Sequence, residues 1–102
     1  MSRLEQLEKM LKADPNDAFL NFGLAMEYAR AGRAEDAIAQ FVRVTELDPK
    51  YVPAYFQRGN YLVSIGRREE AKAALQEGIE VARQIGDTHA AGEMSEALAM
   101  IG

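Results

Sequence analysis

Cysteine is absent from the 102 residues, so neither a disulfide framework nor thiol chemistry enters the fold, and a reducing compartment suits the chain. An excess of positive charge is absent as well. Twelve Lys and Arg face sixteen Asp and Glu, for a net charge of −4. That balance gives no electrostatic footprint for a polyanion, so nucleic acid and membrane are not expected partners. No apolar run approaches membrane-spanning length, and the charged start Met1-Ser2-Arg3-Leu4-Glu5 lacks the apolar stretch of a signal peptide. A cytoplasmic protein is the expectation. His89 is the one histidine, with no second histidine or cysteine to form a metal set. Glycine-rich phosphate loops are missing, and no carboxylate pair or nucleophile–base pair can be assembled. The chain is therefore expected to have no catalytic residue, cofactor or metal. Strand-like alternation is missing too.

Helical periodicity is present throughout. Hydrophobic residues make up 48% and charged residues 27%, the balance of one folded domain rather than of a disordered chain. Ser2 and Glu5 form a capping box, followed by Leu4, Leu7, Met10 and Leu11 at helical spacing. Asp14-Pro15 stops that helix. A second is expected over about 18–31, ending at Gly32, and a third over about 35–47, stopped by Asp48-Pro49. The fourth covers about 52–65, with Pro53 in its first turn, and ends at Gly66. The fifth runs from about 69 to 84, because no proline stands 34 residues after Pro49. Asp87 caps a sixth, about 88–101.

Gly32 and Gly66 lie 34 residues apart, as do Ala37 and Ala71, Phe41 and Leu75, and Pro15 and Pro49. Small, apolar and breaker residues at one fixed offset mark a repeated helix–turn–helix unit. The first full unit contains Asn21, Leu24-Ala25, Tyr28, Ala37, Phe41 and Pro49; the second contains Tyr55, Arg58-Gly59, Leu62, Ala71 and Leu75. The small residues allow close helix crossings, and Phe41 or Leu75 fills the space they leave. This pattern resembles the tetratricopeptide repeat. Asn21, Arg58 and the missing final proline depart from it. The resemblance implies an all-α fold, a short right-handed α–α superhelix of about six antiparallel helices. Its divisions would be a half repeat over 2–15, repeats over 16–49 and 50–86, and a capping helix over 87–101 that turns Ala91, Met94 and Leu98 inward.

The second helix carries two apolar stripes. Leu20, Leu24, Ala25 and Tyr28 share one side, and Phe19, Phe22, Met26 and Ala29 form the other, leaving Gly23, Glu27 and Arg30 as a narrow polar face. The fourth helix repeats the plan, with Phe56, Asn60 and Val63 beside its packing stripe. By the resemblance, these second stripes line a concave groove, with His89 and Glu93 of the last helix at its end. The resulting expectation is a non-catalytic protein-interaction module whose apolar groove takes a helix or peptide segment. Glu93 and Glu96 favour a partner with a basic residue beside its apolar anchors and disfavour a clamp for C-terminal carboxylates, for which Asn60 alone is available. The alternative, from another class, is structural self-assembly into a homo-oligomer through the groove or the truncated N-terminal repeat. Arg58 falls on the packing stripe where the family has leucine. Its stem is expected to pack while its head reaches solvent or a carboxylate such as Glu27 or Asp36. Arg67 and Arg68 read as solvated surface offset by Glu69 and Glu70.

Overall fold

In a computed structural model that describes residues 1–102, six helices follow one another without a strand: α1 Arg3–Ala13, α2 Ala18–Arg30, α3 Ala34–Leu47, α4 Val52–Ser64, α5 Arg68–Gln84 and α6 Thr88–Ile101. Each boundary has a local cause. Ser2 and Glu5 close the expected capping box on α1. Asp17 Oδ1 accepts the Leu20 N–H at 2.8 Å, and Asp87 Oδ1 accepts the Ala90 N–H at 3.0 Å. After α2, the Arg33 N–H reaches Tyr28 O and the Gly32 N–H reaches Ala29 O, with Gly32 at φ 75°. This paired bond satisfies two orphan carbonyls and requires a left-handed residue at the position glycine occupies. The same bonds recur after α4 and α5. No helix is long and apolar enough to cross a membrane.

The helices form two compact units, Met1–Pro49 and Lys50–Gly102. In the first, α2 packs on both α1 and α3. Its core holds Leu24 and Ala25 of α2, with Ala37, Phe41 and Val44 of α3. Asn21, which departs from the family pattern, is the one buried polar residue. Its amide donates to Pro15 O at 3.1 Å and Asp17 O at 2.8 Å, while its Oδ1 accepts from Gln40 Nε2. Where an aromatic would add apolar area, asparagine ties the α1–α2 turn to α3. Every buried hydrogen-bonding side-chain atom is satisfied, so the exchange leaves no orphaned polar group.

In the second unit, α5 packs on both α4 and α6, and α4 also touches α6. A Cβ at Gly59 would lie 2.6 Å from Leu75 Cδ2, so the glycine lets α4 approach the Leu75 side chain directly. Gly78 does the same for α5 on two sides, since its Cβ would lie 2.6 Å from Met94 Sδ and 2.7 Å from Tyr55 Cβ. Leu75 and Met94 are fully enclosed in consequence. At ordinary transfer values each contributes about 1.5–3 kcal/mol. Ala91 and Met94 turn inward as expected, but Leu98 remains half-exposed and Ile101 is buried in its stead. Arg58 does keep its stem packed, with only 12% of its side chain exposed. Its partner is neither Glu27 nor Asp36 but Glu77, at 3.2 Å, while Glu27 lies beside Arg3 and Arg30 and Asp36 is paired with Arg33.

Arg33 and Arg67 both precede a helix and bond back to the acid three residues on, Asp36 and Glu70. Two guanidinium bonds from Arg67 hold the Glu70 carboxyl below the usual glutamate range. A lowered carboxyl pKa favours the folded state above the unfolded value, and that contribution disappears as pH falls through the folded one. In Arg67→Ala the Glu70 carboxyl, followed by NMR, should titrate at higher pH; an unchanged midpoint would contradict the pairing. The helical glycines predict opposite signs. Replacing Gly59 with leucine overpacks the crossing and should cost at least about 1–3 kcal/mol. Gly92 has nothing within 4 Å of its would-be Cβ, so Gly92→Ala should stabilise by about 0.5–1 kcal/mol. Urea titration measures both, and a neutral Gly59→Leu would overturn the close crossing.

Candidate functional site

In the first unit, the second apolar stripe of α2 stays largely uncovered. Phe19 is 68% exposed, and Phe22 and Met26 are half-buried. The Phe22 ring meets the enclosed Phe41 ring at a tilt, with centroids 6.1 Å apart and planes at 60°. Gly23 and Glu27 do not form a separate polar face. A Cβ at Gly23 would stand 3.3 Å from Leu7 Cδ2, so this side of α2 receives α1. Together Arg3, Leu7 and Met10 of α1 and Phe19, Phe22 and Met26 of α2 line an open cavity of about 600 Å³. Arg3 and Arg30 flank Glu27 at its edge, each 3.8 Å from Oε1. The α1 wall belongs to the half repeat expected over 2–15, and its Leu7 and Met10 lie 34 residues before Phe41 and Val44.

In the second unit, Asn60 and Val63 of α4 line a cavity of about 500 Å³ with Ala97, Met100 and Ile101 of α6. Phe56, on the same stripe, is half-buried outside that lining. Arg68, also in the lining, donates to the Ile101 carbonyl and fastens the start of α5 to the end of α6. Met100 is 88% exposed. His89 and Glu93 are not brought to this cavity; they pair with each other at 3.1 Å on the exposed face of α6. At 17 residues α5 is longer than the 14 of α3. The last helix therefore starts 36 residues after α4 instead of 34, and its second half faces Asn60 and Val63. A third opening, of about 330 Å³, lies between α5 and α6, lined by Gln76, Ile79, Glu80, Arg83, Ser95 and Leu98. Nothing in the sequence reading pointed to it.

These surfaces offer apolar contact area rimmed by charge. Comparison with known proteins agrees with the helical pattern. Tetratricopeptide repeat family models match residues 1–52 and 52–85. A TPR repeat-containing protein of Pseudomonas aeruginosa is 37% identical over 92 residues, covering 90% of this chain and 88% of the relative. The solution structure of a tetratricopeptide repeat domain protein from Salinibacter ruber is similar at TM-score 0.79 and 33% identity, covering 86% of this chain and 89% of that one. The first TPR of Spaghetti, bound to an HSP90 peptide, is similar at TM-score 0.70 and 26% identity, over 94% of this chain and 77% of that one.

Exposure predicts how the α2 surface responds to charge. Phe19→Glu should change stability by less than about 0.5 kcal/mol, whereas Phe41→Ala, at a fully enclosed ring, should cost about 3–5 kcal/mol. A large loss for Phe19→Glu in urea titration would make that ring part of the core.

Proposed function

The chain belongs to the tetratricopeptide repeat family, and from that premise we propose that it is a non-catalytic interaction module whose uncovered apolar surfaces dock a helix or peptide segment of another protein. One observation carries the reading: the second stripe of α2 sets Phe19, Phe22 and Met26 around an open cavity. Large apolar side chains kept beside open space are costly unless something covers them. Family membership supports interaction as the function, and the relative bound to an HSP90 peptide shows the fold used in that way.

The α4–α6 surface, with Asn60, Val63 and Met100, adds a second docking area in its own unit. Phe56 extends it along α4. His89 and Glu93 contribute at the exposed face of α6, where Glu93 and Glu96 stand without a Lys or Arg on the helix. A basic residue beside the partner's apolar anchors is favoured there by opposite charge, and a C-terminal carboxylate is disfavoured.

The test is retention of proteins from the native lysate on immobilised chain, compared with a Met26→Glu, Val63→Glu variant of unchanged helicity. The proposal predicts proteins other than the chain itself that the wild type retains and the variant loses. A bait that retains nothing, or retains the same proteins in both forms, contradicts it.

A further inference from the structure

The 34-residue offset assigns an occupant to the α1–α2 cavity. In α3 the residues buried by packing on α2 are Ala37, Phe41 and Val44. Counting back 34 positions gives Arg3, Leu7 and Met10, the three α1 residues that line the cavity. Counting forward gives Ala71, Leu75 and Gly78, which are buried in α5, where Gly59 of α4 rests on Leu75. The open cavity is thus the seat that α2 fills on α3 and α4 fills on α5. Its natural occupant is a helix in the register of α2 and α4.

The chain contains a third helix in that register. Asp87 caps α6 as Asp17 caps α2. Ser95 stands 36 residues after Gly59, the α4 position that faces Leu75 of α5, and Leu98 stands 36 residues after the buried Leu62 one turn on. In α6 those two positions line the open cavity of about 330 Å³ between α5 and α6. That cavity is the seat of a helix in the register of α3 and α5. The helix α1 has this register, since it carries Leu7 and Met10 and closes on Asp14-Pro15 as α3 closes on Asp48-Pro49.

We propose that two copies of this chain dock head to tail: α6 of one copy enters the α1–α2 cavity of the next, while that copy's α1 enters the first copy's α5–α6 cavity. Each half repeat completes the other, and a single contact fills both openings. This rests on the reading of the α1–α2 surface as a helix-docking site and adds a second copy of the chain to what that site takes. Charge agrees with the register. The α6 helix carries Glu93 and Glu96 with no Lys or Arg, whereas the α1–α2 seat presents Arg3 and Arg30 about Glu27, and in α1 Arg3, Lys9 and Lys12 outnumber Glu5 and Glu8. One residue breaks the small-residue pattern, for Arg3 stands where both full repeats have alanine. It lies in the exposed first turn of α1, one turn from Leu7, and Leu7 is the residue that Ser95, the counterpart of Gly59, faces in the docked register. A contact that uses different faces of the two copies leaves one free seat at each end, so the assembly lengthens with concentration unless it closes into a ring.

Sedimentation velocity on the 102-residue chain, from about 10 µM to about 1 mM, spans the range in which modest contacts dissociate. The wild type should sediment faster as concentration rises, beyond the value for a dimer. Met10→Glu blocks the α1–α2 seat and Ser95→Arg blocks the α6 side, and circular dichroism establishes that each retains its helicity. Either variant alone should remain a monomer. Mixed in equal amounts they should form a dimer and nothing larger, because each supplies the face that the other lacks. A wild type that stays monomeric across the range overturns the proposal, as does a dimer indifferent to both substitutions or a mixture that stays monomeric. Such a failure leaves the docking of a different protein intact, since lysate retention decides that separately.

Discussion

In this fold a helix can bury its apolar stripe only against its neighbours, and a close crossing of small against large side chains makes that burial possible. Gly59 against Leu75 is the clearest case, with no room for even one added carbon. Gly78 repeats the device between Tyr55 and Met94, so that α5 is gripped from both sides. Stability in such an arrangement is a sum of neighbour contacts, and any face without a neighbour stays open. The cavities follow from the same constraint as the core: they open beside helix faces that no neighbour of the fold covers.

Most of the fold was legible because its signals are local. Glycine at a left-handed position, the Asp-Pro stops and the capping residues mark helix ends within a residue or two, and all six helices fall where those signals place them. Gly32, Gly66 and Gly86 could be read from the sequence because only a residue without a side chain takes that conformation at little cost. The long α5 was readable from the same logic, as Arg83 replaces the proline that would have ended it.

What the sequence did not disclose depends on distance across the fold. Asn21 looked like a defect in the apolar pattern, and its three hydrogen bonds reach a turn and a neighbouring helix that no periodicity describes. Gly23 looked polar by its place on a helical wheel, yet it receives Leu7. Gly78 lies outside the residues of the repeat pattern, and the need for glycine there is visible only with Tyr55 and Met94 in place. His89 and Glu93 were expected at the end of the groove, and they pair with each other on the exposed face of α6. Of the expected site, Phe19, Phe22 and Met26 share one cavity, Asn60 and Val63 share another, and the openings recruit α1 and α6 residues that composition left unremarked.

Amide hydrogen exchange tests the neighbour-contact account most directly, because protection reports the free energy of opening each helix. The account predicts the slowest exchange in α2 and α5, which carry the most extensive packing of their units, and much faster exchange in α1, packed chiefly on α2. Equal protection across all six helices, or α1 protected as strongly as α2, would contradict it.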